Sequence, residues 1–305
     1  MKPAVWAVVL NHRNAAETLQ CVQALKEVRY RSLEIMIVDN DSGDDEIDRL
    51  GNAATIIESG ANRGYAGGNN VGILAALDGG AEAVWLLNPD AVPHRRALSR
   101  MIRSMNSDPR IGIVGCRLLE GNAPYPTVQS DGGRIVWERG ARSELIGTGE
   151  WSRRSGRGGM QDVDFVPGAS MLIRRGLIEE IGLLPEDYFM YFEETEFCVR
   201  AQKAGWRIVV DPTAEVVHDS GRSEGLPGET FLYYFIRNRI LFGRRHTSAT
   251  FGELSADLVP FIEGWRNRVE AVDFGFLRRF EQLVRWALED AEADRTGWRD
   301  DISSD

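Results

Sequence analysis

The chain has 305 residues, is 43% hydrophobic and carries a formal net charge of -10. It is long and apolar enough for one large α/β domain with an appendage, and its acidic balance argues against a nucleic-acid binder, which needs a strongly positive surface. Three cysteines without CxxC spacing argue against zinc and a disulfide framework and favour a reducing cytoplasm. No stretch has the length and uniform apolarity of a transmembrane helix, so we expect a cytoplasmic protein.

The N-terminal third repeats the order strand, polar loop, helix, which is typical of a mainly parallel sheet in an α/β fold. The predicted strands are Val5 to Leu10, LEIMIVDN, Ala54 to Ile57 and AVWLLNPD. Helices are predicted from Ala15 to Lys26, after DSGDDE, and from Asn70 to Leu77. Ligands of such sheets bind at the carboxyl ends of the strands. Those ends carry a convergent polar set, Asn11, His12, Asp39, Asn40, Arg63, Asn88 and Asp90.

The composition changes after Gly121 to Gly, Arg and Ser, which predicts long loops or an irregular hairpin up to Met160, including GRGG at 156–159. Regular secondary structure is predicted again from DVDFVPGASMLIRR onward. A helix is predicted from Glu194 to Ala204, and a strand is predicted at RIVVDP. Helical patterns then run from Phe251 to about Ala293. We therefore divide the chain into a catalytic domain, 1–225, with halves of about 1–120 and 121–225, and a helical appendage, 226–305.

The segment FMYFEETEF places three glutamates within four positions, between aromatic residues. Such crowding costs stability through charge repulsion and lost hydration unless a cation or a proton transfer uses the carboxylates. The N-terminus of a helix stabilises the charge of Glu194, and Glu193 with its apolar neighbours would hold it at a defined angle. This pattern predicts Glu194 as a general base for a hydroxyl nucleophile.

Three further polar residues follow strand-like runs, and each has a structural alternative. Asp90, in LNPDAVP, is placed to hold Mg²⁺ or Mn²⁺ against a diphosphate, although turns and helix caps also use aspartate there. His218, at the end of EVVHDS, is either a second metal ligand or a structural histidine. Asp39 is placed to accept hydrogen bonds from a base or a ribose, but a solvated acidic turn has the same composition.

The segment NRGYAGGNN has no GxGxxG in the dinucleotide-binding position, which argues against an NAD or FAD enzyme. Arg63 lies beside Gly64, Gly67 and Gly68, so the backbone would approach an anion closely at the start of a helix. A flexible turn with capping asparagines is the alternative.

Taken in order, several short motifs resemble family 2 glycosyltransferases, especially the bacterial rhamnosyltransferase-like branch, over residues 4 to about 245. The resemblance implies a GT-A type nucleotide-diphospho-sugar transferase fold. It also implies an inverting transfer of a sugar from a nucleotide-diphosphate donor to an acceptor hydroxyl. The motifs are VVLNHRN, IVDNDS, NRGYAGGNNVGI, WLLNPD, DFVPGASMLIRR, LLPEDYFMYFEETEFCVRAQKAGWRI and VVH.

The resemblance also implies roles for individual residues. Asp90 would hold the divalent metal, Mg²⁺ or Mn²⁺, with His218 as second ligand. Glu194 stands where relatives commonly have a catalytic aspartate, and Glu193 would orient the acceptor hydroxyl. The implied donor-binding residues are Asn11, His12 and Asp39 for the nucleoside, Arg63, Gly64 and Gly67 for the nucleotide and its phosphates, Asn88 and Asp90 of the DXD-like motif, and Gly168, which leaves room for the sugar.

This branch favours dTDP-rhamnose as the donor, with a UDP-sugar second, and a glycan, a lipid-linked glycan or a secondary metabolite as the acceptor. Two other classes stay open. A sugar nucleotidyltransferase should carry a Gly-rich basic loop after its first strand, which VVLNHRNAAETL lacks. A non-catalytic nucleotide-sugar or glycan-binding scaffold would lose base or phosphate-binding residues, whereas Glu194, Asp90 and Arg63 are all present.

The segment FLYYFIRNRILFGRRH is aromatic and basic, and two interpretations remain open for it. Its arginines, with interleaved aromatic residues, would lie on an anionic membrane surface near a lipid-linked acceptor. Alternatively, the segment is a helix that packs on the core or on a second subunit of a homodimer. The arginines concerned are Arg237, Arg239, Arg244 and Arg245.

Overall fold

The computed structural model describes residues 3–121, 126–151, 158–218 and 225–302, so part of the predicted loop region, including Gly156, lies outside the described residues. The chain forms two compact units. The sheet unit comprises Met1–Arg134, Leu145–Pro185 and Glu194–Ser220, and the helical unit comprises Ile135–Glu144, Glu186–Glu193 and Gly221–Asp305. The single boundary expected at residue 225 stays a prediction, but the helical unit also takes two short upstream segments.

The helices and strands follow the predicted alternation in the N-terminal part of the chain. In chain order, the first elements are β1 (Val5–Asn11), α1 (Ala15–Lys26), β2 (Leu33–Asp39), α2 (Asp44–Leu50), β3 (Thr55–Glu58), α3 (Gly64–Asp78), β4 (Ala83–Leu87), β5 (Ala91–Pro93) and α4 (Ala97–Ser107). The next are β6 (Ile111–Glu120), β7 (Thr127–Ser130), β8 (Gly133–Val136), β9 (Arg142–Leu145), β10 (Gln161–Asp162), β11 (Ser170–Arg174), α5 (Arg175–Ile181), α6 (Glu193–Lys203) and β12 (Arg207–His218). The last are α7 (Glu229–His246), α8 (Phe251–Val272) and α9 (Leu277–Glu292).

The sheet unit is built on one mixed sheet with the strand order β10-β12-β6-β11-β4-β1-β2-β3. The N-terminal strands β4, β1, β2 and β3 are parallel, as predicted, so their carboxyl ends lie along one edge. Strand β11 is antiparallel to both of its neighbours and joins this half to the parallel pair β6 and β12. Strand β1 is central and apolar because helices cover such sheets on both faces.

Helix α3 packs its glycines closely against the sheet. The sequence predicts that this helix begins at Asn70, but the structure begins α3 at Gly64, so the predicted start is wrong. A Cβ atom added at Gly72 would lie 2.4 Å from Cγ1 of Val8, and one at Gly68 would lie 2.5 Å from a leucine side chain of β1. Because these distances are far below van der Waals contact, the glycines allow the helix backbone to approach the strand.

The helical unit has its own hydrophobic core, to which α7, α8, α9 and Phe189 contribute. Helix α7 is buried on most sides, and its Arg237 and Arg239 are only 1% and 2% exposed. The expectation that these two arginines face a membrane surface is therefore wrong, whereas Arg244 and Arg245 do reach the surface. None of the helices in the described part of the chain combines the length and apolarity that a bilayer crossing requires.

The packing of α3 generates a stability prediction. We expect Gly72→Ala to destabilise the protein by about 1–3 kcal/mol, because the added methyl group overlaps Val8. Gly176→Ala, in α5 of the same unit, is the control, since its Cβ would meet only Trp206 at an ordinary 3.7 Å. That change should be neutral or stabilise by up to about 1 kcal/mol. Urea unfolding followed by circular dichroism measures both, and equal midpoints would contradict the packing role of Gly72.

Candidate active site

The carboxyl ends of β1 and β2 are joined by buried hydrogen bonds. Asn11 and Asp39 lie opposite each other in the parallel register, and the Asn11 amide donates to Asp39 Oδ1 at 2.8 Å. The other oxygen of Asp39 accepts from the backbone amide of Ser42 at 3.0 Å, and the Thr18 hydroxyl donates to Asn11 Oδ1 at 2.7 Å. Asn11 is fully buried and Asp39 is 2% exposed, so these bonds replace hydration that both side chains lost on folding.

A second network centres on Asn40 and connects His12 with the start of α3. The His12 ring lies with Nδ1 2.8 Å from the carbonyl oxygen of Asn40, so Nδ1 donates and Nε2 presents a lone pair. The Asn40 side chain accepts from the backbone amide of Arg63 at 3.0 Å and donates to the Gly64 carbonyl at 3.2 Å. Arg63 itself is exposed at the N-terminus of α3, where a cationic side chain and a helix start are both suited to bind an anion.

Gly168 is connected to α3 and to the end of β4. The Tyr65 hydroxyl donates to the Gly168 carbonyl at 2.6 Å, and the Asn88 backbone amide donates to the Ala169 carbonyl at 3.2 Å. A Cβ atom at Gly168 would lie 2.6 Å from the Tyr65 oxygen, so a larger residue there would displace the tyrosine. The structure thus brings the predicted sugar-contacting glycine close to the DXD-like segment.

Asp90 and His218 are brought together by strand pairing that local sequence does not reveal. Strand β12 continues past the predicted RIVVDP segment to His218, which lies opposite Ala91 of β5 in an antiparallel pair. Asp90 Oδ1 therefore lies 3.2 Å from His218 Nε2, with the two side chains 18% and 9% exposed.

The hydrogen bonds of His218 determine its tautomer. Nδ1 lies 2.7 Å from Oε1 of Gln129, which can only accept, so Nδ1 carries the proton. Nε2 then presents a lone pair, which accepts from the Asn88 side-chain amide at 3.2 Å. Within the described residues, Asp90 Oδ1 is buried without a hydrogen-bond partner. In the neutral ring with this tautomer, the approach of Asp90 Oδ1 to Nε2 brings two electron-pair donors together, whereas a doubly protonated ring would form an ion pair with Asp90.

Two electron-pair donors that face each other fit a cation. Ligands at about 2.1 Å in adjacent positions of an octahedral ion are about 3.0 Å apart, close to the observed 3.2 Å. No group of three or more His, Cys, Asp or Glu residues that could hold a metal occurs in the described ranges. The remaining ligands would be phosphate oxygens and water, which is how Mg²⁺ is commonly bound beside a diphosphate.

The two predicted acids also affect nearby thiols. Burial, and secondarily the charge of Asp90, raises the pKa of the Cys21 thiol well above its usual value. Burial likewise raises the pKa of the Cys198 thiol, and the charge of Glu194 adds to this effect. Both cysteines are therefore protonated at neutral pH and are unsuited to bind a metal as thiolates.

Glu193 and Glu194 begin α6 directly after a strained stretch of backbone. Phe189, Tyr191 and Phe192 have φ values of 66°, 67° and 76°, in the left-handed region that side chains with a Cβ atom rarely adopt. Each such residue costs about 1–3 kcal/mol and persists only where the surroundings impose it. Glu193 is 3% exposed, and Glu194 is partly buried. The strain makes the start of α6 a defined position and not a flexible turn.

Three residues that sequence reasoning did not assign support these groups. Asn40 was part of the polar set at the strand ends, but its link between β2 and α3 depends on the fold. Tyr65 fixes Gly168, although only its position inside NRGYAGGNN pointed to the site. Gln129 orients His218 from a region predicted as irregular loops, and no local signal identifies it.

The described contacts bring most of the predicted residues into two groups. The first group contains Asn11, His12, Asp39 and the start of α3. The second group contains Asn88, Asp90, His218 and the Gly168 segment. Glu193 and Glu194 are adjacent through the chain. Their placement opposite a substrate remains a prediction.

Two solved structures have the same fold. The mannosyltransferase PcManGT from Pyrobaculum calidifontis, in complex with GDP-Man and Mn²⁺, aligns with a TM-score of 0.58 and 16% identity, over 96% of this chain and 87% of its own. GalNAc-T7 with UDP, GalNAc and Mn²⁺ aligns with a TM-score of 0.60 and 16% identity, over 96% of this chain and 57% of its own. At such identity the likeness shows the fold alone, and it confirms the predicted GT-A type.

The chain belongs to the family described as glycosyl transferase family 2, whose model matches residues 6–182. The predicted family and the predicted enzyme class, a glycosyltransferase, are therefore confirmed.

Three curated glycosyltransferases are similar to this chain in sequence. The low-salt glycan biosynthesis hexosyltransferase Agl10 of Haloferax volcanii is 29% identical over 68% of this chain and 66% of its own length. The N-acetylglucosaminyl-diphospho-decaprenol L-rhamnosyltransferase of Mycobacterium tuberculosis is 26% identical over 64% of this chain and 69% of its own. The dTDP-rhamnosyl transferase RfbF of Shigella flexneri is 21% identical over 81% of this chain and 82% of its own. The match to the first two thus spans about two thirds of each relative.

Proposed function

We propose that the protein is an inverting glycosyltransferase that moves a sugar, with rhamnose favoured, from a nucleotide-diphosphate donor to an acceptor hydroxyl. Glu194 removes the hydroxyl proton while the acceptor oxygen attacks the anomeric carbon from the face opposite the diphosphate. The bond between the sugar and the diphosphate breaks, and the nucleoside diphosphate leaves. One base on the acceptor side is sufficient for this chemistry, in contrast to the two carboxylates that hydrolases use.

The observation that carries the proposal is the contact between Asp90 Oδ1 and His218 Nε2, two electron-pair donors 3.2 Å apart near the carboxyl ends of the parallel strands. Asp90 and His218 would hold Mg²⁺ or Mn²⁺. When bound there, the ion would neutralise charge on the departing diphosphate. Gln129 keeps the His218 lone pair directed at this place, as second-layer partners of metal-binding histidines commonly do. The two solved structures of like fold contain Mn²⁺, which agrees with a divalent ion.

Donor binding is proposed for the first group of polar residues. Asn11 and Asp39 are almost fully buried at adjacent strand ends, so they would fix the floor of the nucleoside site beneath the base or ribose, with His12 beside them. Arg63 would bind phosphate oxygens, together with the backbone at the start of α3 around Gly64 and Gly67. Asn88 and Gly168, joined through the second group, would border the sugar.

The names of the relatives support the donor and the acceptor. Two of the three are rhamnosyltransferases, and the name of one includes a dTDP-linked donor, so dTDP-rhamnose is our first choice and a UDP-sugar the second. The acceptor of the mycobacterial relative carries a diphospho-decaprenol, which supports a lipid-linked glycan here. Peripheral contact with the cytoplasmic face of a membrane would then involve Arg244 and Arg245, which remain at the surface. Dimerisation through the helical unit is a separate proposal.

The proposed metal ligands lead to a binding prediction. We expect Mn²⁺ to increase the rise in melting temperature that dTDP causes, because the ion connects the protein to the diphosphate. A ligand at 100 times its dissociation constant stabilises a protein by about 2.7 kcal/mol. In Asp90→Ala and His218→Ala the contribution of Mn²⁺ should disappear, while dTDP alone should still bind. Differential scanning fluorimetry measures this effect.

Asp78→Ala is the matched control for the metal test, because Asp78 is an exposed acid at the end of α3 in the same unit. It should behave as the wild type. The metal assignment would be contradicted if Mn²⁺ added nothing in the wild type or added as much in Asp90→Ala. UDP and GDP, tested in the same way, distinguish the donor nucleotides.

The proposed base leads to an activity prediction. With water as the acceptor, we expect Glu194→Gln to slow dTDP release from dTDP-rhamnose by about 10²–10⁴-fold, because the amide cannot accept the proton of the attacking water. The stabilisation by dTDP and Mn²⁺ should be unchanged. Glu179→Gln, which alters an exposed glutamate paired with Arg175, is the matched control and should retain the wild-type rate. A Glu194→Gln enzyme that binds dTDP and turns over normally would exclude Glu194 as the base.

A further inference from the structure

The stretch of backbone before α6 is held by two buried side chains of α7. We call residues 188–192 the pre-helix loop. It contains Phe189, Tyr191 and Phe192, which are three of the seven non-glycine residues with positive φ in the described part of the chain. Left-handed backbone at bulky aromatic residues does not persist without external support. The support is therefore expected in the side chains that contact this loop.

Asn238 binds the backbone carbonyls of the loop directly. Its Nδ2 atom lies 2.9 Å from the carbonyl oxygen of Tyr188, 2.7 Å from that of Met190 and 3.0 Å from that of Tyr191. Two amide hydrogens thus serve three acceptors, so at least one bond is shared. Carbonyls on both sides of Phe189 are held by one side chain, which fixes the direction of the chain through the strained residues.

Arg237 orients Asn238 and adds a further bond to the loop. Its Nε donates to Asn238 Oδ1 at 2.9 Å, which requires that the amide nitrogen face the loop. A terminal nitrogen of the same guanidinium donates to the Tyr188 carbonyl at 3.0 Å. The guanidinium also lies 4.8 Å from the centre of the Tyr234 ring. The orientation of Asn238 is therefore imposed by a rigid neighbour.

Asn238 is poorly suited to its position unless the loop needs it, whereas Arg237 also donates to the Gly297 carbonyl at 2.7 Å. Asn238 is fully buried and Arg237 is 1% exposed, within the interior of a helix. Asparagine is a weak helix former, and a buried guanidinium loses its hydration. The aromatic side chains of the loop are placed in the same core, with Phe189 4.9 Å from Tyr234 between ring centres. Both polar side chains direct donors to the chain that leads into Glu193.

We propose that Asn238 and Arg237 are positioning residues for the proposed base. They hold the pre-helix loop in its strained conformation and thereby fix the backbone that leads through Glu193 into the next residue, Glu194. This inference rests on the proposed function of Glu194 as base. Precise placement matters because a displacement of about 1 Å at a reacting group costs about 10²-fold in rate.

A structural measurement tests the first half of the proposal. Hydrogen exchange of the full chain, read by mass spectrometry, should show faster exchange of residues 186–196 in Asn238→Ala than in the wild type. The loop amides of Phe189 and Met190 are hydrogen-bonded to Glu186 and Tyr188 and report its opening. The control is Thr247→Val, which removes the hydrogen bond to the Gly243 carbonyl at the C-terminal end of the same helix and does not involve the loop, Asn238 or Arg237. Unchanged exchange at 186–196 in Asn238→Ala, or equal loss in both variants, would overturn the inference.

A double-mutant cycle tests the second half. With dTDP-rhamnose and water as acceptor, Asn238→Ala should lower kcat for dTDP release by about 10²-fold, with little change in the donor KM. In a Glu194→Gln background the same change should have almost no effect, because the base that it positions is already lost. A merely structural role would lower the rate equally in both backgrounds, and that outcome would overturn the proposal. Thr247→Val should retain the wild-type kcat.

The results of these experiments distinguish a failure of the positioning role from a failure of the proposed function. If Glu194→Gln has the wild-type rate, the proposed base fails, whatever Asn238→Ala does to exchange. If Glu194→Gln is inactive and Asn238→Ala has the wild-type kcat, the positioning role fails while the base stands. If the wild type releases no dTDP, the proposed donor fails, and the exchange result alone supports or overturns the role of Asn238. Asn238→Ser, which keeps one donor, replaces Asn238→Ala if the latter does not fold, and should give smaller changes of the same kind.

Discussion

The hydrogen bond from Asn11 to Asp39 joins the ends of two parallel strands at a place where water does not reach either side chain. A buried polar group without a partner costs about 1–3 kcal/mol, so the bond constrains where β1 and β2 end. Ser42 and Thr18 complete the arrangement, and the turns after both strands are shaped around it. The surface offered to a nucleoside thus depends on groups that satisfy one another first.

The second half of the sheet contributes Gly168 and His218, which the parallel strands β1 to β4 do not carry. Antiparallel β11 places Gly168 near Asn88, and the long strand β12 carries His218 to Asp90, far away in the chain. The proposed donor site therefore combines a local part, built by successive strand ends, with a part that exists only when distant strands pair. Such non-local pairing slows folding, because long loops must close before the contacts form.

Hydrophobic periodicity predicted the alternation of the N-terminal half well, including the limits of α1 and the parallel order, since burial of regular elements leaves a local pattern. It failed at the start of α3, because glycine in a helix resembles glycine in a loop unless the packing partner, here Val8, is known. Gln129 and the buried Arg237 were beyond prediction for a related reason. Their partners are distant in the chain, and an arginine among aromatic residues resembles a basic surface.

The buried thiols have a practical consequence for labelling. All three cysteines of the chain are free and buried, and burial raises the pKa of each, for Cys116 to about 12. Thiol reagents react with the thiolate, so the native cysteines should be nearly inert in the folded protein. One cysteine introduced at an exposed position could then carry a fluorophore without removal of the native three, giving a site-specific optical reporter in an otherwise unaltered chain.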